Sequence, residues 1–336
     1  MTRALITGIT GMVGSHLCDY LVSETDWQVF GIVRWRSSLA FLEPHFPEID
    51  RIGGRVQLLY GDLNDPISLG EAVEVAAPDY VFHLAAQSFP KTSFSAPLDT
   101  LGTNVIGTYA FLDAVLRKRP DAHVHVCSSS EVFGRVPRDE VPIKENANFH
   151  PASPYAISKT GTDLIGRFFY EAYGLQTQTT RMFTHTGPRR GDVFAESSFA
   201  KQIAMAEMGL TPNVVKVGNL KSLRTVADVR DAVRAYHMLL TVDPVPGAFY
   251  NIGGRHVATI QGILDYLLEI SDLRGTRIVE DPERLRPIDA DVQIPDTSKF
   301  ENHTGWTPEV PFEQTMRDLL DYWRTRVSSE GLQISR

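Results

Sequence analysis

The stretch Ala4-Leu5-Ile6-Thr7-Gly8-Ile9-Thr10-Gly11-Met12-Val13-Gly14-Ser15-His16-Leu17 decides the fold. A short apolar run, Ala4 to Thr7, meets three glycines spaced three and three, and His16 to Val22 continue at helical spacing. That order reads as strand, glycine turn, helix. Glycines at those points permit a tight turn, let the backbone approach a pyrophosphate and bring helix against strand. The helix N-terminus adds free N–H groups and a positive partial charge for phosphate oxygens. Gly8, Gly11, Met12, Val13 and Gly14 are therefore candidate cofactor contacts.

Working outward, Gln28 to Val33, Val56 to Tyr60 and Tyr80 to Leu84 are further apolar runs. Gly107 to Arg117 has helical periodicity and His123 to Cys127 reads as another strand. Ser153-Pro154 opens a long helical pattern reaching about Ala172, with Ser as N-cap and Pro at the first helical position. Strands alternating with helices predict an α/β fold, a Rossmann-type doubly wound parallel sheet, with a smaller C-terminal substrate-binding part. Beyond Arg181 the alternation is broken at Gly187-Pro188 and at Pro244 to Gly247. Helical patterns over Thr259 to Ser271 and Phe312 to Arg326 flank a charged segment, Asp281 to Asp291. Residues 1–180 are expected to bind the cofactor, with parts of 215–255 returning to that domain, and 181–330 mainly to bind substrate.

The 336 residues include 33 Lys plus Arg against 41 Asp plus Glu, a formal charge of −8. With 43% hydrophobic and 22% charged residues the chain is an ordinary globular one. An acidic balance has no surplus of cations to displace the counterions of a phosphate backbone, so no nucleic-acid partner is expected. No run approaches the roughly 18 apolar residues of a membrane helix, so no membrane partner is expected either. The opening residues lack the charged and apolar regions of a secretion signal, and the expected location is cytoplasmic. Cys18 and Cys127 allow one disulfide by arithmetic and no metal-ligand spacing. His123 and His125 alternate on one strand without a carboxylate or thiolate at ligand spacing, so no metal is expected.

At the end of the second strand an acidic residue would favour NAD. The position holds Arg34, with Arg36 nearby, and a guanidinium suits a 2′-phosphate, so NADP is expected over NAD. Asp62, after the third strand, reads equally as an acceptor for an adenine amino group or as a plain turn residue. Tyr155 and Lys159 lie four apart at the start of the long helix, on one face. A phenol with pKa about 10 needs a neighbouring cation to serve as a base at neutral pH. Ser129 and Glu131 follow the strand that ends at Cys127, where ligands of open α/β sheets collect.

Together these motifs resemble the extended short-chain dehydrogenase/reductases that modify nucleotide sugars, and among them the branch of GDP-mannose 4,6-dehydratase and GDP-4-keto-6-deoxymannose reductase. The similarity runs from about residue 3 to 325 through Thr7 to Gly14, Tyr60-Gly61-Asp62-Leu63, His83 to Ser88, Ser129-Ser130-Glu131, the Tyr155/Lys159 pair, His185 to Gly191, Arg224 and Arg286-Pro287. It implies a dehydratase that forms a 4-keto-6-deoxy sugar through transient reduction of NADP. Ser129 would bind the reacting O4, Tyr155 transfer its proton, Lys159 activate Tyr155 and bind ribose, and Glu131 act at C5 and C6. Leu63, Leu84, Ala85, Ala86 and His185 would line the cofactor. Gln87, Ser88, Thr184, Arg190, Lys201, Arg224 and Arg284 or Arg286 would meet a GDP-linked substrate. The Arg34 to Ser38 loop resembles one that reaches a neighbouring subunit, implying a homodimer or homotetramer. Thr184 replaces the family's usual Asn, and Phe133 its usual Tyr. The alternatives are an NADPH-dependent reductase or epimerase of the same sugars and, in another class, a non-catalytic NADP-binding regulator.

Overall fold

The computed structural model describes residues 1–330 except 46, 48, 50–53 and 289. The first part alternates strands with helices: β1 (Arg3–Thr7), α1 (Met12–Glu24), β2 (Gln28–Val33), β3 (Val56–Tyr60), α2 (Pro66–Ala76), β4 (Tyr80–His83), α3 (Pro90–Ser95), α4 (Pro97–Leu101), α5 (Gly107–Lys118), β5 (His123–Cys127), α6 (Pro154–Tyr173) and β6 (Thr177–Met182). The remainder runs β7 (His185–Thr186), α7 (Ala195–Glu207), β8 (Val214–Val217), β9 (Leu223–Asp228), α8 (Val229–Thr241), β10 (Phe249–Ile252), β11 (His256–Thr259), α9 (Ile260–Glu269), β12 (Arg277–Glu280), β13 (Val292–Gln293), α10 (Ser298–Thr304) and α11 (Phe312–Glu330).

Seven parallel strands form the central sheet in the order β10-β6-β5-β4-β1-β2-β3. The chain leaves β1 toward β2 and β3, then returns to the far side of β1 at β4. That reversal opens a crevice between the carboxyl ends of β1 and β4. Both faces are covered, which is why the β1 run is continuously apolar. Ala4 and Ile6 pack against Leu17 and Leu21 of α1 and Val233 and Tyr236 of α8. Leu5 packs on the opposite face with Val73 of α2 and Phe111 and Val115 of α5. A third core joins α7, α9 and α11 through Phe199, Ile203, Leu264, Leu320 and Trp323. Around it β9 pairs antiparallel with β11 and parallel with β13 and β7, while β8 pairs with β12.

Two local outcomes differ from the sequence reading, at β6 and at the end of β4. Strand β6, Thr177-Gln178-Thr179-Thr180-Arg181-Met182, is buried along its whole length although it is mostly polar. Two of its threonines and its arginine are met inside the fold, while Gln178 Nε2 has no hydrogen-bond partner among the described residues: Thr177 Oγ1 donates to the Gly166 carbonyl at 2.6 Å, the His125 ring bonds Thr180 Oγ1 at 2.8 Å, and Arg181 Nε donates to Asp163 at 2.8 Å. The fourth strand ends at His83, one residue early. Both cysteines are free, and burial pushes the Cys18 thiol up to about 12.

Candidate active site

The crevice is built first from the glycine turn. Gly8 has φ +75°, and a Cβ there would stand 2.9 Å from the Ala85 nitrogen on the β4 side. A Cβ on Gly14 would stand 2.2 Å from the Gly8 carbonyl oxygen. Gly11 N donates to that same oxygen at 3.0 Å, closing the turn. No side chain caps the N-terminus of α1, so its first N–H groups face the crevice without a side-chain partner. Close backbone approach and uncapped donors together fit a pyrophosphate. Thr7 holds the two strand ends together: its Oγ1 accepts from Leu84 N at 3.1 Å and Ala85 N at 3.0 Å. His83 links Thr7 to Thr108 Oγ1, and burial pushes its pKa down to about 3, so it serves as a neutral strut.

Arg34 follows β2 on an exposed turn closed by Ser37 N donating to its carbonyl at 2.9 Å. The Asp62 carboxylate accepts from Asn64 N at 3.0 Å and so shapes a turn, while Leu63 is buried below it. Met12, Val13, Leu84, Ala85, Ala86 and Gln87 are half-buried along the crevice, and Ser88 is exposed.

The catalytic candidates meet at the end of β5. Ser129 caps a one-turn 3₁₀ helix over Ser130–Phe133, its Oγ accepting from Glu131 N at 3.2 Å. Ser153 caps α6 in the same way, accepting from Ala156 N at 3.0 Å, with Pro154 at the first position. This places Tyr155, 8% exposed, where its phenol hydrogen-bonds Ser129. Burial pushes the Tyr155 pKa up, against the lowering effects of the Ser129 bond and the Arg190 charge, and the Glu131 charge raises it further. Lys159 is buried, with a pKa lowered by that burial, and its Nζ donates to the Cys127 carbonyl at 2.7 Å. Desolvation, the largest of these influences, disfavours a buried phenolate.

On the opposite wall Arg190 pairs with Glu196 Oε1 at 3.3 Å and stacks over the Phe194 ring. His185 bonds the Phe183 carbonyl through Nδ1, and burial and Arg190 push its pKa down to about 4. The Thr184 carbonyl accepts from Ala227 N at 2.9 Å, tying β7 to β9. Lys201 pairs with Asp192 at 2.7 Å. One turn earlier on α7, Ser198 Oγ accepts from exposed Arg284 at 2.8 Å. Arg224 is buried on β9, with Nη1 on the Leu223 carbonyl, and Arg286 is half-buried. Ser129, Glu131, Tyr155 and Arg190 therefore converge, whereas Arg34 follows β2, three strands away from β5 along the same carboxyl edge of the sheet.

Asn104 escaped the sequence reading. It is fully buried on a π-helical turn, Gly102–Ile106, between α4 and α5. Its Oδ1 accepts from Gln87 N at 2.8 Å, and its Nδ2 donates to the Gln87 carbonyl and to Ser158 Oγ, both at 2.9 Å. Ser158 in turn donates to the Tyr155 carbonyl at 2.7 Å. The residue ties the crevice loop to the catalytic helix, and its only sequence signal is an amide inside a helical stretch. Among the described residues no group of three or more His, Cys, Asp or Glu could hold a metal.

The family model for GDP-mannose 4,6 dehydratase matches residues 5–319. The chain belongs to that family. It is 31% identical to a GDP-6-deoxy-D-mannose reductase of Pseudomonas aeruginosa, over 98% of this chain and 99% of that protein. It is 30% identical to a GDP-mannose 4,6-dehydratase of Yersinia enterocolitica, over 95% of this chain and 93% of that one. Among solved structures, RMD from Pseudomonas aeruginosa complexed with NADPH aligns with TM-score 0.82 and 30% identity, covering 97% of this chain and 100% of that one. The Rossmann-type sheet expected from residues 4–17 is the sheet of this family.

Proposed function

We propose that the protein is a 4,6-dehydratase of a GDP-linked hexose, GDP-mannose being the first substrate to test, with NADP as its cofactor. The observation that carries the reading is Glu131 on the same short turn as Ser129, beside Tyr155. A hydroxyl pair for one sugar oxygen and a carboxylate for the neighbouring carbon is what water elimination requires.

Gly8, Gly11, Met12, Val13 and Gly14 would hold the pyrophosphate, Arg34 the 2′-phosphate, Lys159 the ribose, and Asp62, Leu63, Leu84, Ala85, Ala86 and His185 the remaining surface. When bound, the nicotinamide supplies a hydride acceptor for C4 and the later donor for C6. Tyr155 takes the O4 proton while Ser129 holds that oxygen. The resulting 4-keto group acidifies C5–H. Glu131 takes the C5 proton and delivers a proton to the departing C6 hydroxyl, which leaves as water. The proton taken from O4 balances the one C5 regains. Gln87, Ser88, Thr184, Arg190, Lys201, Arg224, Arg284 and Arg286 would position the nucleotide sugar. Residues 1–180 with parts of 215–255 form the cofactor domain in this proposal, the rest of 181–330 the substrate part. A cytoplasmic homodimer or homotetramer completes it. Among the described residues no helix is long and apolar enough to cross a membrane.

Glu131→Gln tests the assignment. The variant should retain NADP and lose product formation by about 10²–10⁴-fold. Product at the wild-type rate would refute the dehydratase role. A second reading, a reductase of the 4-keto sugar, is favoured by the near-complete overlap with the Pseudomonas reductase. GDP-mannose supplied without added NADPH separates the two, because a dehydratase forms the keto product from it and a reductase does not.

A further inference from the structure

Gln293 carries an amide in a place that is 2% exposed. Ser130 Oγ donates to its Oε1 at 2.8 Å, which turns Nε2 away from Ser130. Among the described residues Nε2 has no hydrogen-bond partner. A buried donor left unpaired costs roughly 1–3 kcal/mol, a penalty that an apolar side chain of similar length escapes. A chain that keeps such an amide keeps it for the half that is bonded. That half reaches the middle of the catalytic turn, because Ser130 stands between Ser129 and Glu131.

The strand that carries Gln293 is held on both sides. Gln293 lies opposite Arg224 in the β9–β13 pairing. Immediately after it, Ile143 N donates to the Ile294 carbonyl and Asp296 N to the Ile143 carbonyl, both at 2.8 Å. Residue 143 belongs to the segment leading out of the catalytic turn. The C-terminal part thus grips that segment by its backbone and the turn itself by one side chain.

We infer that Gln293 is a positioning residue for the reaction: by holding Ser130 from the C-terminal part, it fixes Ser129 and Glu131 against Tyr155. It acts through Ser130 and touches neither substrate nor cofactor. The inference rests on the roles proposed above for Ser129 and Glu131.

The test uses the full chain with its cofactor and three variants: Gln293→Met, of equal length without the acceptor, Ser130→Ala, without the donor, and the two combined. Each single variant should lower kcat on GDP-mannose about tenfold, since small displacements of reacting groups are expensive. KM should stay within about twofold, because substrate binding is not what is lost. The double variant should be no slower than the singles, the two changes removing one bond. Singles that keep kcat within twofold, a rise in KM alone, or losses that multiply in the double variant would each overturn the inference. If Gln293→Met fails to fold, Ser130→Ala, which loses only a hydroxyl, decides by the same kcat and KM comparison. A wild-type enzyme inactive on GDP-mannose refutes the dehydratase reading instead. The same variants are then compared on the 4-keto sugar with NADPH, where Ser129 still needs its position.

Discussion

Replacing Gly14 with alanine puts a methyl group where the structure has no room. The new Cβ would lie 2.2 Å from the Gly8 oxygen and 2.7 Å from the Ile9 Cα, both backbone atoms that cannot swing aside. Ordinary contact is about 3.4 Å, so the turn and the start of α1 must separate by roughly 1 Å. The 3.0 Å bond from Gly11 N to the Gly8 carbonyl lies in the path of that movement. Overpacking of this kind costs about 1–3 kcal/mol and a lost backbone hydrogen bond about 1 kcal/mol more. Unfolding by urea should therefore show a loss of about 2–4 kcal/mol. The displaced N–H groups at the start of α1 should also weaken NADPH binding by about 10–100-fold, measured by calorimetry, which is roughly 1.4–2.7 kcal/mol. Gly70→Ala in α2 is the matched control, because nothing lies within 4 Å of its added Cβ. That variant should gain about 0.5–1 kcal/mol and bind NADPH as the wild type does. Equal NADPH affinity in Gly14→Ala and wild type would refute the assignment of the glycine turn to the cofactor.

Two further outcomes follow from buried charge. His83 and His125 are held neutral, each with a pKa pushed down to about 3 by burial. Below pH 6.5 the unfolded chain takes up these protons and the folded chain does not, so their stability contribution is complete above pH 6.5. It is lost as pH falls toward 3, at up to about 1.4 kcal/mol per pH unit for each histidine. Urea titrations at pH 7.5 and 5.5 check this, with His83→Gln expected to reduce the slope by about one proton. Arg181 and Asp163 form a two-pronged pair at 2.8 and 3.0 Å with side chains 1% and 0% exposed. Asp163→Asn should cost about 3–5 kcal/mol in urea unfolding, and Asp163→Leu with Arg181→Met much less, because the double change strands no charge.

How far the fold could be read from residues depended on where each segment's polar atoms went. Strands β1, β2, β4 and β5 announce themselves because most of their length is buried among apolar neighbours, so their composition matches their place. Strand β6 does not, since its environment is supplied by distant partners: Gly166 for Thr177, His125 for Thr180, Asp163 for Arg181. Hydrophobic periodicity cannot register a strand whose burial is balanced by hydrogen bonds. The same holds for the site. Ser129, Tyr155 and Lys159 stand at spacings that a strand end and a helix face impose locally. Asn104 and Gln293 act through contacts 54 and 163 residues away in sequence, and no local pattern marks them.

The charges of the site carry this point further. In a chain of net charge −8 the sequence suggests a cationic lining for an anionic substrate, made of Arg34, Lys159, Arg224 and Arg286. Other cations proposed to meet the substrate are paired with carboxylates in the fold. Arg190 arrives paired with Glu196, Lys201 with Asp192 at 2.7 Å, and Arg284 with Asp281 at 3.6 Å. Each carboxylate holds its cation in place before substrate arrives, so little side-chain entropy remains to be lost on binding. The same carboxylates weaken the field that a phosphate meets. In the function proposed above, a nucleotide diphosphate would compete with these carboxylates for the same cations, and the carboxylates would stay in the site as uncompensated negative charge. A site arranged in this way would draw its selectivity from which of these cations can turn from its carboxylate to a phosphate, and would gain less from attraction at a distance.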